Sequence, residues 1–186
     1  GDDRCGITMI LEIIKELRCH VLFTEDEEIG GVGAGKFCAS GIKPKINFII
    51  EFDRAHEKDA VYYELDNEVF AETVEKYGFK RDYGSYSDIV DIAPVLGCAA
   101  VNLSCGYYNA HTQHEFVSIP QMYAQVERAK KLIANECNNF FEWKELVYDR
   151  SWDSGIWCYG GWYDNYDYYD SKNKSKSKSK AKPVSK

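Results

Sequence analysis

Residues 25–28, with the sequence Glu-Asp-Glu-Glu, form the densest group of chemically capable side chains in the chain. The apolar residues 21–23, separated from them by Thr24, predict a short buried strand, and open α/β sheets bind their ligands at the carboxyl ends of strands. Adjacent carboxylates repel and raise one another's pKa unless a cation compensates them. The pair Glu27 and Glu28 therefore suggests a metal ligand beside a general base, although a solvated acidic turn has the same composition.

Three further groups that can bind a metal lie next to the ends of predicted elements. Asp2 precedes the first predicted helix, whose dipole favours a negative charge there, and Asp53 and His111 each follow a predicted strand. Oxygen ligands with one imidazole suit zinc, manganese or cobalt, and the lack of paired thiols argues against a structural zinc. His114 lies three residues after His111, but an exposed or hydrogen-bonded histidine explains it better than a second ligand does.

Strands alternate with helices along most of the chain, which predicts an α/β domain with a mostly parallel central sheet flanked by helices. Apolar residues at helical spacing predict that the first helix, over residues 7–18, packs through one stripe. This stripe consists of Ile7, Ile10, Leu11, Ile14 and Leu17. A long amphipathic helix is expected from Pro120. The other expected elements are strands at residues 46–52, 61–65 and 98–103, a helix at 68–77, and a short helix interrupted by Pro94 and Gly97.

Length and composition predict one ordinary globular core. The chain has 186 residues, of which 45% are hydrophobic and 28% are charged. It has neither a run of about 18 apolar residues, as a membrane span needs, nor a signal peptide at its start, so we expect a cytoplasmic protein without a membrane partner. Its seven cysteines are an odd number without a C-x-x-C pair, which favours reduced, packed thiols over disulfides or a thiolate metal site.

The formal net charge of −7 conceals a difference between the body of the chain and its end. Residues 172–186 hold seven lysines and no acidic residue, so the preceding 171 positions carry 16 basic and 30 acidic groups. This acidic body disfavours nucleic acid as the main partner. We expect an α/β domain over residues 1–150, an aromatic acidic segment over 151–170 and a disordered Lys/Ser tail over 171–186.

Five short motifs carry a resemblance to a known family. They are GDDRCG at residues 1–6, FTEDEEIG at 23–30, IIEFDR at 49–54, GSYSD at 84–88 and NAHTQHE at 109–115. In this order they resemble the successive motifs of the co-catalytic dizinc exopeptidases, which include peptidase T-like tripeptidases, dizinc aminopeptidases and related amidohydrolases. The resemblance covers residues 1–135 and implies a metallopeptidase-like domain of the zinc-exopeptidase fold.

The resemblance also implies a set of ligands for two zinc ions. Asp2 is similar to the aspartate that bridges both ions, and it would be joined to Asp3 by the family's cis peptide bond. Glu28 and His111 look like the other ligands of the first ion, and Asp53 looks like a ligand of the second. Manganese or cobalt would suit the same residues.

The activity that the resemblance implies is hydrolysis of an amide bond next to the terminus of a peptide substrate. Glu27 looks like the general base, which would take a proton from the attacking water and pass it to the leaving amine. Tyr107 or Tyr108 could donate a hydroxyl to the tetrahedral intermediate, but packed aromatic side chains would explain them equally well. Asp88 would either orient the substrate or cap a helix.

The chain departs from the family pattern in its first metal motif. The family has His-x-Asp upstream of the bridging aspartate, and none of the four histidines here is followed two positions later by an aspartate. We therefore expect the sequence to be the C-terminal portion of a longer enzyme, with the missing N-terminal portion as a possible separate partner. The short stretch between Asp53 and His111 leaves no room for an inserted dimerisation domain. The alternative is a non-catalytic binding protein that has the same fold and a degenerate metal site.

Overall fold

The computed structural model of the protein describes residues 1–63, 65 and 67–146. These residues belong to one unit, Gly1–Val147. The predicted aromatic acidic segment at 151–170 and the predicted Lys/Ser tail at 171–186 lie outside the described residues.

The strands of the described chain are β1 (Ile49–Arg54), β2 (Asp59–Val61), β3 (Lys80–Asp82), β4 (Ala100–Ser104), β5 (Tyr107–Tyr108) and β6 (Phe116–Val117). Four of them form the central sheet, in the order β1-β4-β2-β3. The pairs β1–β4 and β2–β3 are parallel, whereas β2 and β4 are antiparallel. A separate antiparallel hairpin consists of β5 and β6. The expected α/β class with a mostly parallel sheet is therefore confirmed at this level.

The described part of the chain contains five α-helices: α1 (Arg4–Ile14), α2 (Val32–Ala39), α3 (Glu68–Glu75), α4 (Ile89–Leu96) and α5 (Ile119–Glu136). Helix α1 packs against β1 and α5. Helix α4 packs against β1, β4 and α2. The long helix starts next to Pro120 as predicted, and Met122, Val126 and Ala129 lie on its buried face. None of the helices in this part of the chain is both long and apolar enough to cross a membrane.

Strand β4 shows how the sheet divides the interior. Its side chains alternate between the two faces, as strand geometry requires. Val101 and Leu103 lie in the larger core with residues of α1, α3 and α5, whereas Ala100 lies in a smaller core with α4. Asn102 follows the same alternation toward the α4 side and is only 1% exposed.

The first helix is present but spans Arg4–Ile14 instead of residues 7–18. Its buried face differs from the predicted stripe, of which only Ile10 and Leu17 pack against the larger core. The helix buries Cys5, Gly6, Met9 and Ile13. Three residues of the predicted stripe are 40–47% exposed: Ile7, Leu11 and Ile14. Both faces carry apolar residues, so spacing alone could not distinguish them. The buried face is the one that carries Gly6, which lets the helix approach the sheet closely.

Residues 21–23 do not form the predicted buried strand. Val21, Leu22 and Phe23 are 40–53% exposed and lie in an irregular segment. A strand requires a neighbour that accepts and donates its backbone hydrogen bonds, and in the described part of the chain no strand pairs with this segment. Three apolar residues in a row satisfy the sequence pattern without specifying a partner.

The remaining predicted elements are present with shifted bounds. Strand β1 begins at Ile49 instead of residue 46, and β2 lies at Asp59–Val61, mostly ahead of the predicted 61–65. The predicted helix at 68–77 is α3, and α4 contains Pro94 and ends at Gly97, whose φ of 69° is left-handed. Strands of two or three residues, such as β3 and β5, show too little alternation to be predicted.

Helix α1 approaches the sheet most closely at Gly6. A Cβ atom at this position would overlap the carbonyl oxygen of Phe52, which belongs to β1. Gly6 has an ordinary helical conformation, so glycine is not needed here for its backbone freedom. It is needed because a side chain would not fit between the helix and the strand. This contact places the start of α1, with Asp2 just before it, beside the carboxyl end of β1 with Asp53.

Replacing Gly6 by alanine should destabilise the protein, because the new methyl group must push α1 away from β1. We expect a loss of at least about 1–3 kcal/mol in the free energy of unfolding, the range for overpacked interiors. Urea unfolding followed by circular dichroism measures it. Gly35→Ala in α2 is the matched control, since a Cβ there has no heavy atom within 4 Å. That change should be neutral or stabilise by about 0.5–1 kcal/mol, and equal losses in both variants would contradict the close-approach argument.

Candidate metal centre

An open cleft of about 470 Å³ brings all five predicted site residues together. Its lining consists of Asp2, Glu27, Glu28, Gly30, Asp53, Ser85, Tyr86, Tyr107 and His111. These residues come from the start of α1, the acidic turn, strand β1, the loop before α4 and the β5–β6 hairpin. Segments distant in the sequence thus converge near the carboxyl end of a parallel strand, where α/β proteins commonly bind ligands.

Asp2, Glu28 and His111 form one group of potential metal ligands. Each offers one ligand atom, and these atoms all lie within 4.8 Å of one another. Nε2 of His111 is 3.4 Å from Oδ2 of Asp2 and 3.6 Å from Oε1 of Glu28. Two carboxylates and one imidazole fit zinc, and three protein ligands leave one coordination position for water.

A second group consists of Asp2, Asp3 and Asp53, whose carboxylate oxygens also lie within 4.8 Å of one another. The sequence prediction had assigned Asp2 and Asp53 here but had missed Asp3. The pair of adjacent aspartates, Asp2 and Asp3, was the feature of the sequence that could have indicated Asp3 as a further ligand. Asp2 belongs to both groups, as a bridging residue would. An all-carboxylate group suits hard cations better than it suits zinc.

The peptide bond between Asp2 and Asp3 is trans, so the expected cis bond is wrong. A trans bond is lower in energy by about 2.5–4 kcal/mol for a residue other than proline. Asp3 instead turns the chain through its own backbone, with a left-handed φ of 57°. This conformation is uncommon for a residue with a side chain and is found most often at turns and functional sites.

A short 3-10 helix, Glu27–Ile29, presents the acidic pair to the cleft. The preceding Asp26 is left-handed, with a φ of 63°, and turns the chain into this short helix. Glu25 points elsewhere, because its Oε1 accepts a hydrogen bond from Nζ of Lys36 at 2.8 Å. The acidic pair therefore lies on a turn and not at the end of a strand, as the sequence had suggested.

The β5–β6 hairpin holds His111 at the rim of the cleft. Asn109 and His111 are both left-handed, with φ values of 58° and 59°. The loop is fixed by its own hydrogen bonds: Oγ1 of Thr112 donates to the carbonyl of Asn109 at 2.7 Å, and Nδ2 of Asn109 donates to the carbonyl of His114 at 3.2 Å. His114 itself is exposed and belongs to neither group of potential ligands.

The hairpin also holds the backbone at Asp2. Oε1 of Glu115 accepts a hydrogen bond from the Asp2 N–H at 3.2 Å. Glu115 lies four residues after His111, so one loop both supplies a potential ligand and fixes the segment that supplies another. No pattern in the sequence indicated this role for Glu115.

The carboxyl groups of the cleft lie where their ionised forms are unfavourable. Burial raises the pKa of Asp53 to about 8, and the charge of Glu51 adds to the effect. Burial and then the charge of Glu28 raise the pKa of Glu27. No lysine or arginine is among the described residues that line the cleft. Arg54, next to Asp53 in sequence, is paired instead with Asp82 at 2.6 Å.

The two tyrosines that the sequence singled out differ in their surroundings. Tyr107 lines the cleft and is 4% exposed, and its hydroxyl donates to the carbonyl oxygen of Asp53 at 3.2 Å. Burial, followed by the charge of Asp2, raises the pKa of Tyr107, so its hydroxyl stays protonated. Tyr108 donates to Oε1 of Gln121 at 2.7 Å and does not line the cleft. The hydroxyl proton of Tyr107 thus forms a hydrogen bond that holds the end of β1, and it is not free to be donated to a substrate in this arrangement.

The GSYSD loop at 84–88 reaches the cleft with Ser85 and Tyr86, whereas Asp88 lies behind it. Asp88 occupies the N-cap position of α4 but makes no capping hydrogen bond with its side chain. Its Oδ1 atom is buried without a partner. The predicted capping bond of Asp88 is therefore wrong, and Asp88 is not among the described residues that line the cleft.

No protein-family model, curated protein or solved structure matches this chain. The resemblance to the dizinc exopeptidases therefore stays a prediction that depends on the five motifs.

The chain should bind one zinc ion tightly, through Asp2, Glu28 and His111, because the second group lacks an imidazole. Titration calorimetry with zinc measures the number and affinity of the sites. We expect His111→Ala to weaken the tight site by more than about 100-fold, since loss of an outer partner of a ligand already costs about 10–100-fold. His114→Ala, on the same loop, is the matched control and should bind zinc as the unmodified chain does. Two sites of equal affinity would show that another residue supplies the missing ligand.

Proposed function

We propose that the protein is a metal-dependent exopeptidase of the dizinc type, which hydrolyses a peptide bond next to a chain terminus. The observation that carries the proposal is the convergence of Asp2, Glu27, Glu28, Asp53 and His111 in one open cleft. Four of them belong to two adjacent groups of potential ligands. The fifth, Glu27, lies beside these groups without belonging to either.

The chain's own residues suit two neighbouring divalent cations. Asp2, Glu28 and His111 would hold zinc, and Asp2 with Asp53 and Asp3 would hold a second ion, for which manganese or cobalt is an alternative. Bound ions of this kind polarise a carbonyl oxygen and lower the pKa of water. They would also offset the repulsion among the carboxylates of the cleft, which no described lysine or arginine of the lining offsets.

Glu27 is the residue best suited to act as general base. It is partly buried, and burial together with its acidic neighbours raises its pKa toward the range in which a carboxylate accepts a proton effectively. It is adjacent in sequence to the proposed ligand Glu28, so it lies close to the reacting atoms. Glu27 would take the proton of the attacking water and transfer it to the leaving amine.

The open shape of the cleft supports a peptide as the substrate, because one free end of an extended chain can enter it from solvent. The six cysteines in the described part of the chain are free, which supports a reducing, cytoplasmic environment.

Replacing Glu27 by glutamine should abolish hydrolysis in the full-length protein while leaving its metal content unchanged, because the change removes a base and no ligand. Release of amine from peptides, with zinc, manganese or cobalt added, measures turnover, and atomic absorption measures metal content. Glu28→Ala should lose metal. Glu25→Gln is the matched control, since it removes a charge from the same turn but lies outside the cleft.

Loss of metal from Glu27→Gln comparable to that from Glu28→Ala would contradict the assignment of the base. Peptides blocked at the amino end and peptides blocked at the carboxyl end would be compared, so that the trimmed end is identified. Tight metal binding without hydrolysis of either set would instead favour the non-catalytic binding protein.

A further inference from the structure

Strand β1 carries a bulge next to Asp53. In the pairing with β4, Glu51 lies opposite Asn102, but Arg54 lies opposite Ser104. Strand β1 therefore has one residue more than β4 between these two pairs. Such a bulge bends the strand, redirects a side chain and removes a backbone group from the ladder. The bulge thus lies at the residue that supplies a proposed metal ligand.

The side chain of Asn102 replaces the hydrogen bond that the ladder loses. The N–H of Asp53 donates to Oδ1 of Asn102 at 3.0 Å instead of to a backbone carbonyl of β4. A backbone N–H can only donate, so the amide of Asn102 must turn its oxygen toward Asp53. Its Nδ2 group is then left to donate to the hydroxyls of Tyr63 at 3.1 Å and Ser87 at 3.2 Å.

Further partners fix this orientation. The hydroxyl of Ser87 donates to Oε2 of Glu51 at 2.5 Å, so its oxygen is free to accept from Asn102. Asn102 and Ser87 are each 1% exposed, so neither can exchange its partners for water easily. A buried amide with all of its partners in place adopts one orientation, because any other would leave a polar atom unsatisfied.

We infer that Asn102 is a positioning residue, which holds the bulged backbone at Asp53 so that the Asp53 carboxylate points to the second cation site. This inference depends on the proposed function, because it requires a cation between Asp2 and Asp53. Asn102 does not line the cleft and contacts no proposed ligand atom. Its direct contact with this residue is the hydrogen bond from the Asp53 N–H.

The test separates the two cation sites in one protein. The chain is loaded with one equivalent of zinc and is then titrated with Mn²⁺, whose free concentration is followed by electron paramagnetic resonance. Asn102→Leu should weaken Mn²⁺ binding by about 10–100-fold, the usual effect of losing a group that orients a ligand. Zinc binding by Asp2, Glu28 and His111 should not change, and this serves as the control for correct folding.

One variant provides a matched control. Tyr63→Phe removes another partner of Asn102 but leaves its bond to the Asp53 N–H, so it should bind Mn²⁺ as the unmodified chain does. If Asn102→Leu loses the tight zinc site as well, the smaller Asn102→Ala is measured in its place. Loss of both cations in both variants would show that Asn102 is merely structural and would overturn the inference.

The remaining outcomes distinguish the inference from the function on which it depends. If the zinc-loaded chain binds Mn²⁺ and Asn102→Leu binds it equally well, the positioning role is wrong and the proposed function stands. If the zinc-loaded unmodified chain binds no Mn²⁺, or binds it with the same affinity as Asp53→Asn, the second cation site is wrong and the inference fails with it. Equal weakening by Tyr63→Phe and Asn102→Leu would also overturn the specific role of Asn102.

Discussion

The contact between Gly6 and the carbonyl of Phe52 sets the geometry on which the cleft depends. It allows α1 to lie directly against β1, and the residues at the ends of these two elements, Asp2 and Asp53, become neighbours. A larger residue at this position would separate the two carboxylates by widening the gap between helix and strand. The bulge in β1 comes immediately after the contact, so close packing and strand distortion act together at the same place.

The cleft shows the opposition between folding and function that is common at metal sites. Burial, and after it the charges of neighbouring carboxylates, raises the pKa of Asp53 to about 8. Protonation relieves the repulsion in the absence of a cation. A divalent cation would relieve it more fully, since the carboxylates could then all stay ionised. An arrangement that is unfavourable alone and favourable with a cation is more consistent with a metal site than with a solvated acidic surface.

Much of the candidate site could be predicted from the sequence, but the parts that depend on pairing could not. The resemblance of the motifs predicted Asp2, Glu28 and His111 as candidate ligands, and these three residues do lie together; the strand that carries Asp53 was recognised from its apolar run. The predicted strand at 21–23 failed because a strand depends on its neighbour, which no local pattern contains. The bulge, and with it the role of Asn102, results from the register of two strands far apart in sequence.

The cleft has one rigid side and one side made of turns, and this asymmetry affects how a cation would act on the protein. Asp53 lies on a strand with buried neighbours, whereas Glu28 and His111 lie on exposed turns. The backbone at His111 is left-handed, which costs of order 1–3 kcal/mol unless other contacts hold it. A cation shared by Asp2, Glu28 and His111 would connect the start of α1, the acidic turn and the hairpin. Because such a ligand binds the folded chain in preference to the unfolded one, its binding energy would stabilise these exposed turns most of all.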